Sequence, residues 1–296
     1  MKSSLICSIP LILFMTIFPQ CKRNTIIVDK KHVLYEELTP TEFRERLKEA
    51  PIAYLPLGTL EWHGEHLPLG SDGIQSSEFF KLLAQKVGGI VLPMLFVAPD
   101  TMLAAGNIDY YGSDFITAGQ PGKYYYPTQQ LDGSAYYIDD RTFRSIMEST
   151  LKQLKRAGFR IVVAHGHGPS TAFFIRQQEQ WEKEFGLILY NCWCWNIRGS
   201  YDKDCDELSN QGYGIMVDHA AANETSLMLA LRPDLVHMEY LPEDTTLWPL
   251  AVVGKDPRIF ASEQFGQKTI EMDLERMAGI LKDQLATLED NLNVTK

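Results

Sequence analysis

IAYLPLG (residues 52–58) runs almost directly into EWHGEHLPLGSD (61–72), and this junction decides the fold. The first stretch is a continuous apolar run that reads as a buried strand. The second packs four potential metal ligands, Glu61, His63, His66 and Asp72, into a dozen residues. Ligands placed where a strand hands over to a loop fit the α/β class, whose sites form beyond the carboxyl ends of strands. Carboxylate and imidazole together suit a borderline divalent cation such as zinc, manganese or iron.

Two later segments repeat the arrangement. HGHGPS, from His165, follows the strand-like RIVVA and precedes a helical stretch, and DHAAANETSLMLAL, from Asp218, opens another helix. Five of the seven histidines (His63, His66, His165, His167 and His219) fall in these three segments. Histidines satisfied singly in a core would be scattered, so the gathering points to one shared site.

Between the motifs, strand and helix alternate. Thr39-Pro40-Thr41-Glu42 is a helix start with a hydroxyl cap and an early proline. SSEFFKLLAQKV (76–87) reads as a helix ended by Gly88-Gly89, and IVLPMLFV (90–97) as a strand. DDRTFRSIMESTLKQLKRAGF (139–159) is a long helix, acidic at its start, basic at its end, with Gly158 as terminator. RIVVA, a helix through TAFFIRQQEQWEKEF and LILYNCW continue the series. The alternation predicts a three-layer α/β/α fold with a mostly parallel central sheet. Residues 98–137, rich in Tyr, Gly, Asp and Thr, break the rhythm. They read either as a lid, binding loop or contact arm, or as a variable surface excursion. From 262 to 291, Ile270, Leu274, Met277, Leu281, Leu285 and Leu288 recur at helical spacing, which predicts an amphipathic helix docked on the core.

At 296 residues and 45% apolar content the chain can bury one substantial core. A net charge of −10 and the lack of a basic cluster argue against nucleic acid as a partner. Lys2 and the apolar run 5–18 read as an export signal, too short for a comfortable transmembrane helix. Cys21 then reads as the lipidated first residue of an envelope or periplasmic lipoprotein, with the membrane touched only through that anchor. Pro19-Gln20 departs from the small residues usual at such sites, so plain secretion stays open. Residues 22–296 follow as one unit. Three cysteines remain, Cys192, Cys194 and Cys205; Cys192 and Cys194 alternate on a strand and read as buried packing, with a disulfide to Cys205 open.

At its three motifs the chain resembles the creatininase family of metal-dependent amidohydrolases. The family's Glu-x-His-Gly-x-His-Leu-Pro, with Asp four residues on, is matched without a gap from Glu61 to Asp72. Its Asn-Gly-His-Gly motif is matched in part, keeping Gly166, His167 and Gly168. Its His with Glu-Thr-Ser five residues on is matched by His219 and Glu224-Thr225-Ser226. The resemblance runs from about 35 to 236 and is poor over 98–137.

The resemblance implies two divalent metal ions (Zn, Mn or Fe) per chain. Glu61 would bind one, His63 the other and Asp72 both, with His167 on the ion that Glu61 holds. The classical motif carries a Glu two residues after that His; here the position is Pro169, and Glu224 is expected to complete the second site. His219 is the candidate proton shuttle. His66 is expected to support the ligands from behind or to face substrate, and His165 to be a hydrogen-bond partner or an extra ligand. Asp218 reads equally as helix cap or catalytic group. The implied activity is hydrolysis of a C–N bond in a small amide, cyclic or formyl, by a homo-oligomer. Pro169 and Ile215 stand where creatininases carry other residues, which argues against creatinine itself, and Trp195 is a candidate substrate-packing aromatic. The alternative is a non-enzymatic metal- or ligand-binding lipoprotein on the same scaffold.

Overall fold

The computed structural model describes residues 32–115, 126–192 and 218–294. The leader, Cys21, Cys194, Trp195, Cys205 and Ile215 lie outside the described residues, and with them the expectations placed on those positions.

In chain order the helices are α1 (Pro40–Glu49), α2 (Ser71–Val87), α3 (Asp140–Ala157), α4 (Gly168–Phe185), α5 (Ala222–Leu231), α6 (Pro257–Phe260) and α7 (Glu263–Val294). The strands are β1 (Ile52–Leu57), β2 (Ile90–Val91), β3 (Met102–Ala105), β4 (Ile108–Tyr111), β5 (Ile161–Gly166) and β6 (Ile188–Tyr190). A parallel sheet runs in the order β2-β1-β5-β6, with Ile52 opposite Ile161 and Leu57 opposite Gly166. Each residue of β1 and β5 is buried, because helices cover both faces.

The pleat of β1 divides the core in two. Ile52 and Tyr54 pack with Phe79, Phe80 and Leu83 of α2 and Met277 and Leu281 of α7. Ala53, Leu55 and Leu57 face the other way, onto Phe143, Met147 and Leu151 of α3 and Phe173 and Trp181 of α4. Helices on two faces of a parallel sheet make the three-layer α/β/α fold that the alternation predicts.

Local chemistry fixes the ends. Thr39 and Glu42 form a capping box at α1. Asp139 accepts the Arg141 and Thr142 N–H groups at the start of α3, and Gly158 ends it in the left-handed conformation. Ile270, Leu274, Met277, Leu281, Leu285 and Leu288 of α7 all join the first core, as their spacing predicts.

Three expectations need correction. Strand β2 stops at Val91, since Pro93 has no N–H to continue the ladder, although Leu95 still donates to Pro56 O. Helix α2 begins at Ser71, five residues before the expected start, so Asp72 sits in its first turn. Gly73 is needed there: a Cβ would collide with Met94 Sδ and stand 3.2 Å from Gly58 Cα. Within 98–137, expected to lack periodic structure, β3 and β4 form an antiparallel ribbon.

Chain order places the site. From β1 the chain moves to β2 on one side, while β5 leads to β6 on the other. The carboxyl ends of β1 and β5 therefore flank the crevice where winding reverses, the usual ligand position in open α/β sheets.

Candidate metal centre

Four elements converge above that crevice. The loop after β1 carries Glu61 and His63, held by Glu61 N–H to Leu69 O at 2.9 Å and by Ala135 N–H to Leu60 O at 2.7 Å. The first turn of α2 carries Asp72, and His167 leaves β5 as the N-cap residue of α4. Glu224 sits in the first turn of α5, and His219 in the segment before it, which pairs with Val253 as an isolated antiparallel bridge.

Asp72 divides its two oxygens between two triads. Its Oδ2 lies 3.0 Å from His167 Nδ1, which is 2.9 Å from Glu61 Oε1. Its Oδ1 lies 3.1 Å from His63 Nε2, which is 3.6 Å from Glu224 Oε2. Glu61, Asp72 and His167 thus form one group with the spacing of metal ligands, and His63, Asp72 and Glu224 another, donor atoms in each lying within 4.8 Å of one another. A third such group joins Glu61, His63 and His219. All five members of the two triads are at most 3% exposed. The ring of His63 is fixed from behind: Nδ1 lies 3.2 Å from the Glu61 carbonyl, so that once the ring is neutral, with its proton there, the Nε2 lone pair faces Asp72 and Glu224.

The donor set fits divalent cations. Five carboxylates (Glu61, Asp72, Asp100, Asp218 and Glu224) and three imidazoles line or flank one buried volume, a crowding of charge that is costly unless cations or protons neutralise it. Protonation behaviour reflects this. Burial opposes a charged His63, but Asp72 and Glu224 overcome it and raise the ring to about 10. Against the same burial, Glu61 and Asp72 hold His167 well above the usual histidine range. Asp72 stays well below the ordinary carboxylate range because His63 and His167 outweigh its burial. Burial, with Asp72 and Asp218 nearby, pushes Glu224 well up. Burial and then His63 depress His219.

A cavity of about 320 Å³ opens over the triads, lined by Glu61, Asp72, His167, His219 and Glu224 together with Asp100, Phe115 and Pro169. His219 Nε2 lies 2.8 Å from the Trp62 carbonyl and 3.4 Å from Ser113 Oγ. His66 does not line this cavity; its Nε2 is 2.8 Å from Oγ1 of Thr225, the residue next to Glu224, which accords with the first of its two expected roles, support from behind the ligands. His165 joins none of the ligand groups and is turned toward Gln75, Phe79 and Leu227. Asp218 accepts from Asn223 N–H at 2.8 Å and Glu224 N–H at 3.1 Å, capping the start of α5, and it also reaches the cavity wall. Pro169 presents no donor there.

Two site residues escaped the sequence reading. Asp100, which burial and then Glu61 raise to about 7, and Ser113, which donates to Glu61 Oε2 or Trp62 O, both lie in the 98–137 segment. That segment carries no motif; the one available signal was Asp100 following the apolar run 94–98.

Fold and site define a three-layer α/β protein with two candidate metal-ligand triads sharing one aspartate. The sequence matches the creatininase family profile, described as creatinine amidohydrolase, over residues 36–113 and 128–271, and the chain belongs to that family. It is 25% identical over 281 residues to a creatinine amidohydrolase from Pseudomonas putida, covering 86% of this chain and 98% of the relative. It is 26% identical over 212 residues to a 3-dehydro-scyllo-inosose hydrolase from Thermotoga maritima, covering 70% of this chain and 59% of that enzyme. A solved creatininase superposes with a TM-score of 0.62 at 21% identity, over 85% of this chain and 97% of the other. Solved creatininases of the same fold include a manganese form, a Zn-Zn form of one variant and a variant complexed with creatine.

Proposed function

We propose that this chain is a metal-dependent hydrolase that opens a C–N bond in a small amide, cyclic or formyl. The observation that carries the reading is Asp72, whose two oxygens face separate triads 3.1 and 3.0 Å from His63 and His167. Glu61, Asp72 and His167 would hold one divalent ion, and His63, Asp72 and Glu224 the other. Such ions supply a water of lowered pKa and polarise a substrate carbonyl.

The other residues act around that chemistry. His219 Nε2–H donates to the Trp62 carbonyl, so its Nδ1 keeps the lone pair and can take a proton for the departing nitrogen. A cavity of about 320 Å³ stands at the small end of ligand sites. Pro169 and Phe115 give its wall apolar surface, which favours a compact, largely neutral substrate.

Two further parts belong to the same proposal. Residues 1–21 support export with lipidation at Cys21, which Cys21→Ser should abolish, releasing the protein from membranes. Met102, Leu103 and Ile108, exposed on the β3–β4 ribbon, support a subunit contact in a homo-oligomer. Pro169 in place of a carboxylate favours the second reading, a protein that binds metal without turnover.

Elemental analysis of the full chain after manganese or zinc loading, with a hydrolysis screen of cyclic and formyl amides, separates these. Two ions with turnover sustain the hydrolase. Two ions without turnover across the screen leave the metal binder, and none or one sinks the hydrolase and leaves a metal- or ligand-binding protein.

A further inference from the structure

Two buried polar atoms on the cavity wall face each other without a hydrogen-bond partner among the described residues. They are Asp100 Oδ2 and His167 Nε2, 3.8 Å apart, each on a side chain 3% exposed. The carboxylate's aim is fixed from outside, because Oδ1 accepts the Thr101 N–H at 2.6 Å and leaves Oδ2 pointing inward. Gly112 makes room for it. That residue has φ +45°, and a Cβ there would overlap Asp100 Oδ2 and stand 3.0 Å from Glu61 Oε2. Space for a second carboxylate beside Glu61 is therefore built into the backbone.

We propose that Asp100 is the positioning residue of His167, an inference that rests on the metal reading above. It accepts the Nε2–H, which fixes the tautomer with the Nδ1 lone pair toward Glu61 Oε1 and Asp72 Oδ2. Rotation of the carboxylate by less than about 1 Å brings the pair into N–H···O range. The arrangement repeats the logic of His63, where one ring nitrogen donates to a fixed oxygen (the Glu61 carbonyl) and the other faces the triad. A carboxylate behind a ligating imidazole raises its basicity and holds its plane. Asp100 is not a ligand itself: it joins none of the groups whose donor atoms lie within 4.8 Å, and the His167 nitrogen it faces is the one turned away from Asp72. On the wall where Pro169 offers no carboxylate, the loop after β2 thus supplies one that acts through His167.

The test is calorimetric titration of the metal-free full chain with Mn²⁺ and Zn²⁺, for the parent, Asp100→Ala and Asp100→Asn. The melting temperature of each metal-free protein is measured alongside. Asp100→Ala should weaken one of two ions by about 10–100-fold and leave the other at parent affinity. Asp100→Asn keeps an oxygen for the Thr101 N–H and should match the parent's metal-free melting temperature, whereas Asp100→Ala also loses that bond. Asp100→Asn keeps an amide oxygen to accept the Nε2–H and should restore the weakened ion to within about threefold of the parent. Two ions at parent affinity in Asp100→Ala would overturn the proposal. An Asn variant as weak as the Ala variant would overturn it too, because charge rather than the acceptor would then be the requirement. A parent that takes up no ion at all would overturn the metal reading itself, and this inference with it.

Discussion

Asp72 is the residue on which both triads depend, and its neighbours depend on it unequally. His167 and Glu61 meet one of its oxygens, His63 and Glu224 the other. Asp72→Ala should therefore abolish binding of both ions, whereas His63→Ala and His167→Ala should each remove one; metal content per chain read by elemental analysis distinguishes these patterns. The same residues set the pH dependence. An imidazole must lose its proton before it can ligate, and His63 holds its proton to about 10 while His167 also lies well above its ordinary range. Protons and metal thus compete for the same nitrogens, so binding at pH 7 releases protons and apparent affinity rises with pH toward 10. Calorimetry in two buffers of different ionisation enthalpy should give heats that differ by at least one proton's worth per chain. Equal heats would contradict the raised histidines.

At the scale of elements, the close crossing of α5 and α7 makes the most specific demand. Gly266 is buried on α7, and a Cβ there would overlap the Ser226 carbonyl of α5 and lie 3.0 Å from Leu227 N. Backbone cannot yield as a side-chain tip can, so Gly266→Ala should cost about 3 kcal/mol, the upper end of ordinary overpacking. Gly279 lies on the same helix with nothing within 4 Å of its would-be Cβ. There Gly279→Ala should stabilise by up to about 1 kcal/mol through helix propensity alone. Urea unfolding of the two variants against the parent checks both signs. Which elements were legible in the sequence follows from the same physics. Strand β1 and helices α3 and α7 announce themselves because burial on a fixed period writes itself into composition. The candidate ligands Glu61, His63, Asp72, His167 and Glu224 are legible because carboxylates and imidazoles gathered at short spacing stand out in the sequence. Asp100 and Ser113 do not, since they reach the site through a ribbon and bridges whose partners, such as Ala98 with Tyr137, lie far along the chain. The early start of α2 was hidden by Gly73, a poor helix former whose presence answers to Met94 and Gly58 across space.

For the molecule as a whole, an occupied site would also be a clasp. Its two triads draw on the loop after β1, the first turn of α2, the end of β5 and the first turn of α5, so the ligands span residues 61 to 224. Helices α2 and α5 belong to the layer built with α7, whereas α4, which His167 caps, lies on the opposite layer. Ions held by Asp72, His167 and Glu224 would therefore tie elements from both sides of the sheet, and unfolding would have to release them. Any ligand that binds only the folded chain stabilises it by about 2.7 kcal/mol at a free concentration one hundred times its dissociation constant. For a protein of this size that corresponds to a rise in melting temperature of roughly 4–5 °C per saturating ion. Thermal unfolding with and without Mn²⁺ or Zn²⁺ should show that rise in the parent. It should shrink to about half in His63→Ala and vanish in Asp72→Ala. An equal rise in all three proteins would mean that the ions bind elsewhere on the acidic surface, and the clasp would be refuted even if the fold were unchanged.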